Sequence, residues 1–288
     1  MKRNPASVLE GSQPARTAVR VGYQGEPGAY SEEAILTLFP GAAPVGHRTF
    51  TMAVDALLRD DVDCDVIPVE NTLGGIVQEA NDLLWDRRGL RLVREHVHPV
   101  RHCLLGVPGA PVRRAISHPQ ALAQTRRYLE AHGIEAVPHH DTAGAARDLA
   151  EHPEPGLAAV ASAAAARRYG LQVLAEGIQD DDSNQTRFVV VERGEPLRPG
   201  DAEPGGKCSL CFVAGHVPGS LVAALQCLAV RGVNLTRLEA RPIPEKPFEY
   251  RFFLDFQVAD PAVAEAALRD LEASTHEVRL FGTYRGFG

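Results

Sequence analysis

Glu70, Asn71 and Thr72 stand between an apolar run, Cys64 to Val69, and a stretch with helical periodicity. Side chains at the carboxyl end of a strand face the ligand crevice of an open α/β sheet, which makes Glu70 and Asn71 candidates for contact with a small molecule. A local reading competes: Asn71 or Thr72 caps the next helix and Glu70 is solvated. Ser117-His118-Pro119-Gln120-Ala121-Leu122 repeats the arrangement, with a polar group at a strand end and Gln at a helix start, although a lone His is usually structural. Asp141-Thr142-Ala143 puts an Asp at an N-cap position. In Asn184-Gln185-Thr186-Arg187-Phe188, a hydroxyl, a guanidinium and a ring follow one another and point alternately. Such a row offers a proton donor to a ligand while Arg187 anchors a carboxylate or the loop itself. Taken singly, each of these segments is unspecific.

Other chemistries fail on spacing. Gly22, Gly25 and Gly28 give G-x-x-G-x-x-G, where a dinucleotide turn needs G-x-G-x-x-G, so a tight turn whose amides face a cleft is the better reading. Cys208 and Cys211 form C-x-x-C, but residues three apart on a strand point to opposite faces and no second pair follows. His96, His98 and His102 fall on one face of an extended segment without a carboxylate to complete a zinc site. No G-x-S-x-G elbow occurs. The expectation is therefore no metal and no cofactor.

Composition narrows the class further. The chain has 288 residues, 44% hydrophobic and 23% charged, which fits globular domains and rules out disorder or collagen. Mean hydropathy is −0.15, and no apolar run approaches the ~20 residues that span a bilayer, so no membrane association is expected. A net charge of −7 argues against nucleic acid as a partner. Five scattered cysteines suit a reducing compartment, read here as the cytoplasm. The segment before Arg20 has early basic residues but no apolar core, so it is read as a frayed start and not a secretory signal.

These residues need elements to hold them. From Val19 to Arg193, short apolar runs alternate with amphipathic stretches, the pattern of an α/β region with largely parallel strands. Helices are predicted at Tyr30 to Leu38, Thr51 to Arg59, Gly75 to Trp85, Gln120 to His132, Thr142 to Ala150 and Ala163 to Tyr169. Residues 194–206 are rich in Gly and Pro and read as a linker. Beyond them the order is β-α-β-β-α-β, a ferredoxin-like domain.

Taken in order, Gly25-x-Pro27-Gly28-Ala29-Tyr30-Ser31, Glu70-Asn71-Thr72-x-Gly74-Gly75, His118-Pro119-Gln120-Ala121-Leu122, Asp141-Thr142-Ala143 and Asn184-x-Thr186-Arg187-Phe188 resemble prephenate dehydratase joined to a C-terminal ACT domain. The likeness runs from about Val19 to Tyr284. In the second domain it rests on Pro218-Gly219-Ser220-Leu221, Asn234-Leu235-Thr236 and Leu238-Glu239-Ala240-Arg241-Pro242. The family commonly has Ser where this chain has Thr72 and Ala240: Thr72 keeps the hydroxyl and Ala240 loses it.

The resemblance implies a two-lobed catalytic region like periplasmic binding proteins over 19–193, with one lobe at about 19–94 plus 173–193 and the other at 98–169. An ACT regulatory domain occupies 207–285. The implied reaction is the decarboxylative dehydration of prephenate to phenylpyruvate in phenylalanine biosynthesis. Thr186 would give a hydrogen bond or proton to the departing hydroxyl, with Glu70, Asn71, Thr72 and Gln120 completing the catalytic set. Gly28, Ala29, Tyr30, Ser31, Gly75, His118, Arg187 and Phe188 would bind substrate. Phenylalanine as allosteric effector would sit among Gly219, Ser220, Leu221, Asn234, Leu235, Thr236, Glu239 and Arg241, with ACT domains pairing in a homodimer or homotetramer. The rivals are an arogenate dehydratase, which performs the same elimination on the amino analogue, and a non-catalytic sensor of small anions.

Overall fold

The computed structural model describes residues 18–244 and 246–286, with only the backbone at Pro247. The reading of the N-terminal start concerns residues 1–17 and so falls outside the described residues. The chain divides into two units: one holds 18–80 with 96–188, the other 81–95 with 189–286.

In the first unit, β1 (Arg20–Gln24) is paired in parallel with β2 (Ala43–His47) and β3 (Cys64–Asn71). Helices α1 (Tyr30–Leu38) and α2 (Phe50–Leu58) alternate with these strands and bury Ala34, Ile35, Val54 and Leu57. The helix expected from Gly75 starts later. Gly75 and Ile76 form β4, which folds back on β3 with Glu70 opposite Ile76 and Asn71 opposite Gly75. Gly75 closes that hairpin at φ +74°, a conformation that costs glycine little. Helix α3 (Gln78–Asp86) follows, then β5 (Leu90–Pro99), and residues 81–95 of this stretch belong to the other unit.

The first unit also contains a second sheet built from β6 (Cys103–Gly106), β7 (Arg114–Ser117), β8 (Glu135–Pro138), β9 (Leu157–Ala161) and β10 (Gln172–Glu176), in the order β10-β6-β9-β7-β8. Only β7, β8 and β9 are parallel, since β6 runs antiparallel to both β9 and β10. The helix expected from Gln120 to His132 is two pieces, α4 (Pro119–Gln124) and α5 (Arg126–Ala131). The buried Thr125 breaks it, bonding its hydroxyl back to the Ala121 carbonyl at 2.9 Å. Helices α6 (Thr142–Glu151) and α7 (Ala163–Tyr169) pack on this sheet through Ala145, Ala146, Ala165 and Ala166, whose small side chains allow a close approach. Two sheets in one α/β unit agree with the two-lobed expectation, but the return to the first sheet was placed too early. Val173 lies in β10 and pairs with Leu105 of the second sheet, so the chain crosses back only after Glu176, through a loop that leads into β11 (Gln185–Arg193) beside β3.

The second unit has the expected β-α-β-β-α-β order: β12 (Gly206–Val213), α8 (Ser220–Ala229), β13 (Leu235–Ile243), β14 (Lys246–Val258), α9 (Pro261–Ser274) and β15 (Glu277–Arg285). The four strands form an antiparallel run ordered β13-β14-β12-β15. Cys208, Leu210 and Phe212 of β12 face the helices and share a core with Leu228, Leu268 and Leu271. Cys211, on the opposite face, does not join Cys208. Residues 194–206 are more ordered than a free linker: they carry a 3₁₀ turn at Pro199–Asp201, and Arg198 is paired with Glu265 and Glu272.

One buried charge runs against the packing. Asp65 on β3 is 0% exposed, neither carboxylate oxygen has a hydrogen-bond partner, and a Cβ on Gly22 of β1 would lie 2.0 Å from its Oδ1. Burial pushes its carboxyl up to about 7. The folded state therefore holds this proton more tightly than the unfolded chain. That contribution to stability is complete below about pH 4 and is lost as pH rises through about 7, on the order of 4 kcal/mol in all. Asp65→Asn is expected to gain several kcal/mol on the wild type between about pH 5 and 8 in urea unfolding. A wild-type-minus-variant difference that stays flat with pH would contradict this reading.

Candidate active site

The carboxyl end of β3, the start of β11 and the first turn of α4 converge. Asn71 is the hub. Its Oδ1 accepts the backbone amides of Leu73 at 3.1 Å and Gly74 at 2.7 Å, which forms the turn between β3 and β4. That fixes the other end of the carboxamide as Nδ2, and Nδ2 donates to Asn184 Oδ1 (2.9 Å), the Gln185 carbonyl (3.0 Å) and Thr186 Oγ1 (3.0 Å). Since an amide NH₂ only donates, Thr186 Oγ1 is the acceptor in that bond and its own hydrogen remains for another partner.

Thr72 pins the same two segments together. Its hydroxyl donates to the Ser183 carbonyl at 3.0 Å and accepts the Gln185 amide at 2.9 Å, while its backbone amide reaches the Gln185 carbonyl at 2.9 Å. Gln120, from the second sheet's first helix, lies over this turn. A Cβ on Gly74 would stand 1.8 Å from Gln120 Nε2, so a side chain there would have to push the carboxamide aside.

Several expected ligand contacts are taken up internally. The polar side-chain groups of Asn71 and Thr72 are engaged within the loop. The Gly28 amide, expected to face an anion, donates to Glu32 Oε2 at 2.5 Å, and its carbonyl accepts the Ser162 hydroxyl at 2.8 Å. Gly28 packs so closely that an added Cβ would lie 2.8 Å from Ala165 Cα. Ser31 is buried in α1, and Ala29 is the helix's N-cap residue. His118 is exposed and caps α4, accepting the Gln120 amide on Nδ1 at 3.2 Å. Phe188, expected to wall the substrate ring, is 2% exposed and packs edge-on against His98 at 6.4 Å, so it presents no surface to a ligand. Glu70 and Gly75 lie in the β3–β4 hairpin beside Asn71, and Arg187 follows Thr186 on β11.

Three contributors were not assigned a role from sequence. Asn184 Nδ2 donates to Gln124 Oε1 at 3.0 Å, and that oxygen also meets His102 Nε2 at 2.9 Å. His102 Nδ1 lies 2.8 Å from the Tyr30 hydroxyl. The half-buried Tyr30 hydroxyl also lies 3.0 Å from the Arg101 carbonyl, so it already has two internal partners. Gln124 was within reach of sequence reasoning, being one helical turn beyond Gln120 on the same face. His102 was weighed only as a zinc ligand with His96 and His98, but His98 turns to Glu33 at 3.3 Å while His102 turns to Tyr30 and Gln124. Among the described residues no group of three or more His, Cys, Asp or Glu is arranged to hold a metal ion.

In the second unit, Gly219, Ser220 and Leu221 line a cavity of about 380 Å³ together with Glu249, Tyr250 and Phe252. The other expected effector residues are not part of its wall. Arg241 is bound to Asp82 at 2.6 Å, and Asn234 Nδ2 donates to Gln257 Oε1 at 3.3 Å. Asn234 precedes β13, while Leu235, Thr236, Glu239 and Arg241 lie along it; Leu235 is paired with Phe256, away from the cavity, whereas Glu239 and Arg241 flank Ala240, which is paired with the cavity residue Phe252.

Residues 21–196 match the family described as prephenate dehydratase. An Arabidopsis thaliana protein, arogenate dehydratase/prephenate dehydratase 2, chloroplastic, is 42% identical over 96% of this chain and 74% of its own length. Among solved structures, a protein described as a novel type of quorum quenching acylase superposes with a TM-score of 0.85 at 34% identity, covering 93% of this chain and 98% of that one. The prephenate dehydratase of Arthrobacter aurescens in complex with L-Phe superposes with a TM-score of 0.83 at 28% identity, covering 92% and 89%. The chloroplastic relatives overturn the expectation of a cytoplasmic protein. Unpaired thiols report a reducing compartment, and they do not distinguish the cytoplasm from other compartments of that kind. With the profile spanning most of the first unit and so close a relative along nearly its whole length, the chain belongs to the prephenate dehydratase family.

Proposed function

We propose that residues 19–193 form a catalytic domain that converts prephenate to phenylpyruvate, water and carbon dioxide, with Thr186 as the donor to the departing hydroxyl. The observation that carries this reading is the direction of the Asn71–Thr186 bond: Oγ1 accepts from Nδ2, so its hydrogen is free for a substrate oxygen. In the reaction the ring–carboxylate bond breaks and its electron pair enters the ring. The hydroxyl leaves with its own pair, taking a proton to become water. Aromatisation drives the step, so the protein has only to place the ring hydroxyl against a donor as hydroxide character develops. A threonine is a weak acid, and its contribution is positional. Gln120, over the Gly74 turn, supplies a neutral donor for the substrate, and a neutral seat suits a carboxylate that must be lost. Arg187 holds the side-chain carboxylate or braces the start of β11.

The acylase relative suggests a second chemistry, but the site does not favour it. Acyl transfer needs a nucleophile beside a base, and the Thr186 hydroxyl is bonded to an amide nitrogen that cannot accept a proton. Arogenate remains the closer rival, because the Arabidopsis relative's name carries both activities.

We assign 194–206 as the connecting segment and 207–285 as an ACT domain that senses phenylalanine. The cavity at the start of α8 and the Arthrobacter complex support that assignment. Pairing of ACT domains into a homodimer or homotetramer is supported by large apolar side chains left exposed there, including Val217, Val222, Val230 and Phe248. The deciding experiment mixes pure protein with prephenate, follows phenylpyruvate absorbance in alkali, and repeats the run with arogenate and with added phenylalanine. Turnover of prephenate that phenylalanine slows is expected. Binding without turnover would make the protein a sensor.

A further inference from the structure

We infer that His102 is a positioning residue whose Nε2–H anchors the far end of a hydrogen-bond relay that runs through Gln124 and Asn184 to Asn71, the residue that leaves the Thr186 proton free. The inference rests on the reading of Thr186 as the donor. His102 is 1% exposed and sits just before β6, outside every segment expected to touch substrate. Burial pulls its imidazole below the ordinary range, so it is neutral near pH 7 and carries one N–H.

The relay has one consistent direction. At one end, the amides of Leu73 and Gly74 force Asn71 Oδ1 toward the turn and Nδ2 toward Asn184 Oδ1. Asn184 must then present Nδ2 to Gln124, and Gln124 must present Oε1. An oxygen at 2.9 Å from His102 Nε2 demands a hydrogen on that nitrogen. Nδ1 is then a bare acceptor, and the Tyr30 hydroxyl, which lies 2.8 Å from Nδ1 and 3.0 Å from the Arg101 carbonyl, turns its one hydrogen to Nδ1. In the other tautomer Nε2 would present a lone pair to Gln124 Oε1. Relieving that clash by turning Gln124 and Asn184 would bring two NH₂ groups together at Asn71, which the Gly74 turn does not let rotate. Removing His102 deletes one of the two donors to Gln124 Oε1, so Gln124 and Asn184 are held less firmly and Asn71 Nδ2, which keeps the Gln185 carbonyl and Thr186 Oγ1, loses the fixed acceptor Asn184 Oδ1.

The test has a spectroscopic and a kinetic arm. In the full-length protein labelled with ¹⁵N-histidine, long-range ¹H–¹⁵N spectra at about pH 7.5, with the His102 signals assigned by their loss in His102→Gln, are expected to show a protonated Nε2 and a bare Nδ1. The reverse tautomer overturns the proposal, and this arm needs no active variant. In steady-state kinetics, His102→Leu is expected to lower kcat by about 10- to 100-fold with KM little changed, the usual size for a partner that orients a reacting group. His102→Gln keeps an N–H within reach of Gln124 and is expected to restore most of that loss. A merely structural role would lower both variants alike, in step with their melting temperatures. Wild-type kcat in His102→Leu, or equal loss in the two variants, also overturns the proposal. A wild-type protein with no dehydratase activity would remove the Thr186 reading while the tautomer result still stood.

Discussion

Thr186→Val is expected to lower kcat by about 10²- to 10⁴-fold, with a much smaller change in KM. Valine keeps the shape and deletes only the hydroxyl. Asn71 Nδ2 loses one of its three acceptors, but Asn184 Oδ1 and the Gln185 carbonyl remain at 2.9 and 3.0 Å, so the loop is expected to hold. The effect therefore falls on the chemical step: substrate still binds, while the developing hydroxide loses the donor it meets as the bond breaks. Steady-state rates with prephenate, beside circular dichroism melts, check this, and wild-type turnover in the folded variant would take Thr186 out of the mechanism.

Asn71→Asp is expected to lower kcat by about 10²- to 10³-fold, the cost of losing one oriented donor. Asp is isosteric, and one oxygen still caps Leu73 and Gly74. The other atom becomes an acceptor facing Asn184 Oδ1, the Gln185 carbonyl and Thr186 Oγ1, so the Thr186 proton is drawn to the carboxylate and away from the substrate. Because both substitutions remove the use of one proton, the double variant is expected to be little slower than the worse single variant. Fully multiplicative losses would mean that Asn71 and Thr186 act independently.

Much of the architecture was legible because it depends on local pattern. The alternation of apolar runs and amphipathic stretches located β3 and α1, and the element order beyond residue 206 was readable as ferredoxin-like. The order of short polar segments pointed to the family, although no single segment did. What stayed hidden depends on distant partners. Nothing in Gly28 or its neighbours announces that Glu32 fills the amide, and Phe188 reads equally as a site wall or as core until His98 packs against it. Val173 pairs with β6 by a register that its own residues do not encode. Asn184 meets Asn71 and Gln124 only through the tertiary fold, so local spacing gave it no role.

The most direct measurement is a crystal structure of Thr186→Val soaked with prephenate, a variant slow enough to retain its substrate. The ring hydroxyl oxygen is expected about 2.6–3.2 Å from the place where Oγ1 stands in the wild type, with the leaving carboxylate free of any cationic partner. A ring hydroxyl turned away from β11, or prephenate seated where residue 186 cannot reach it, would contradict the account.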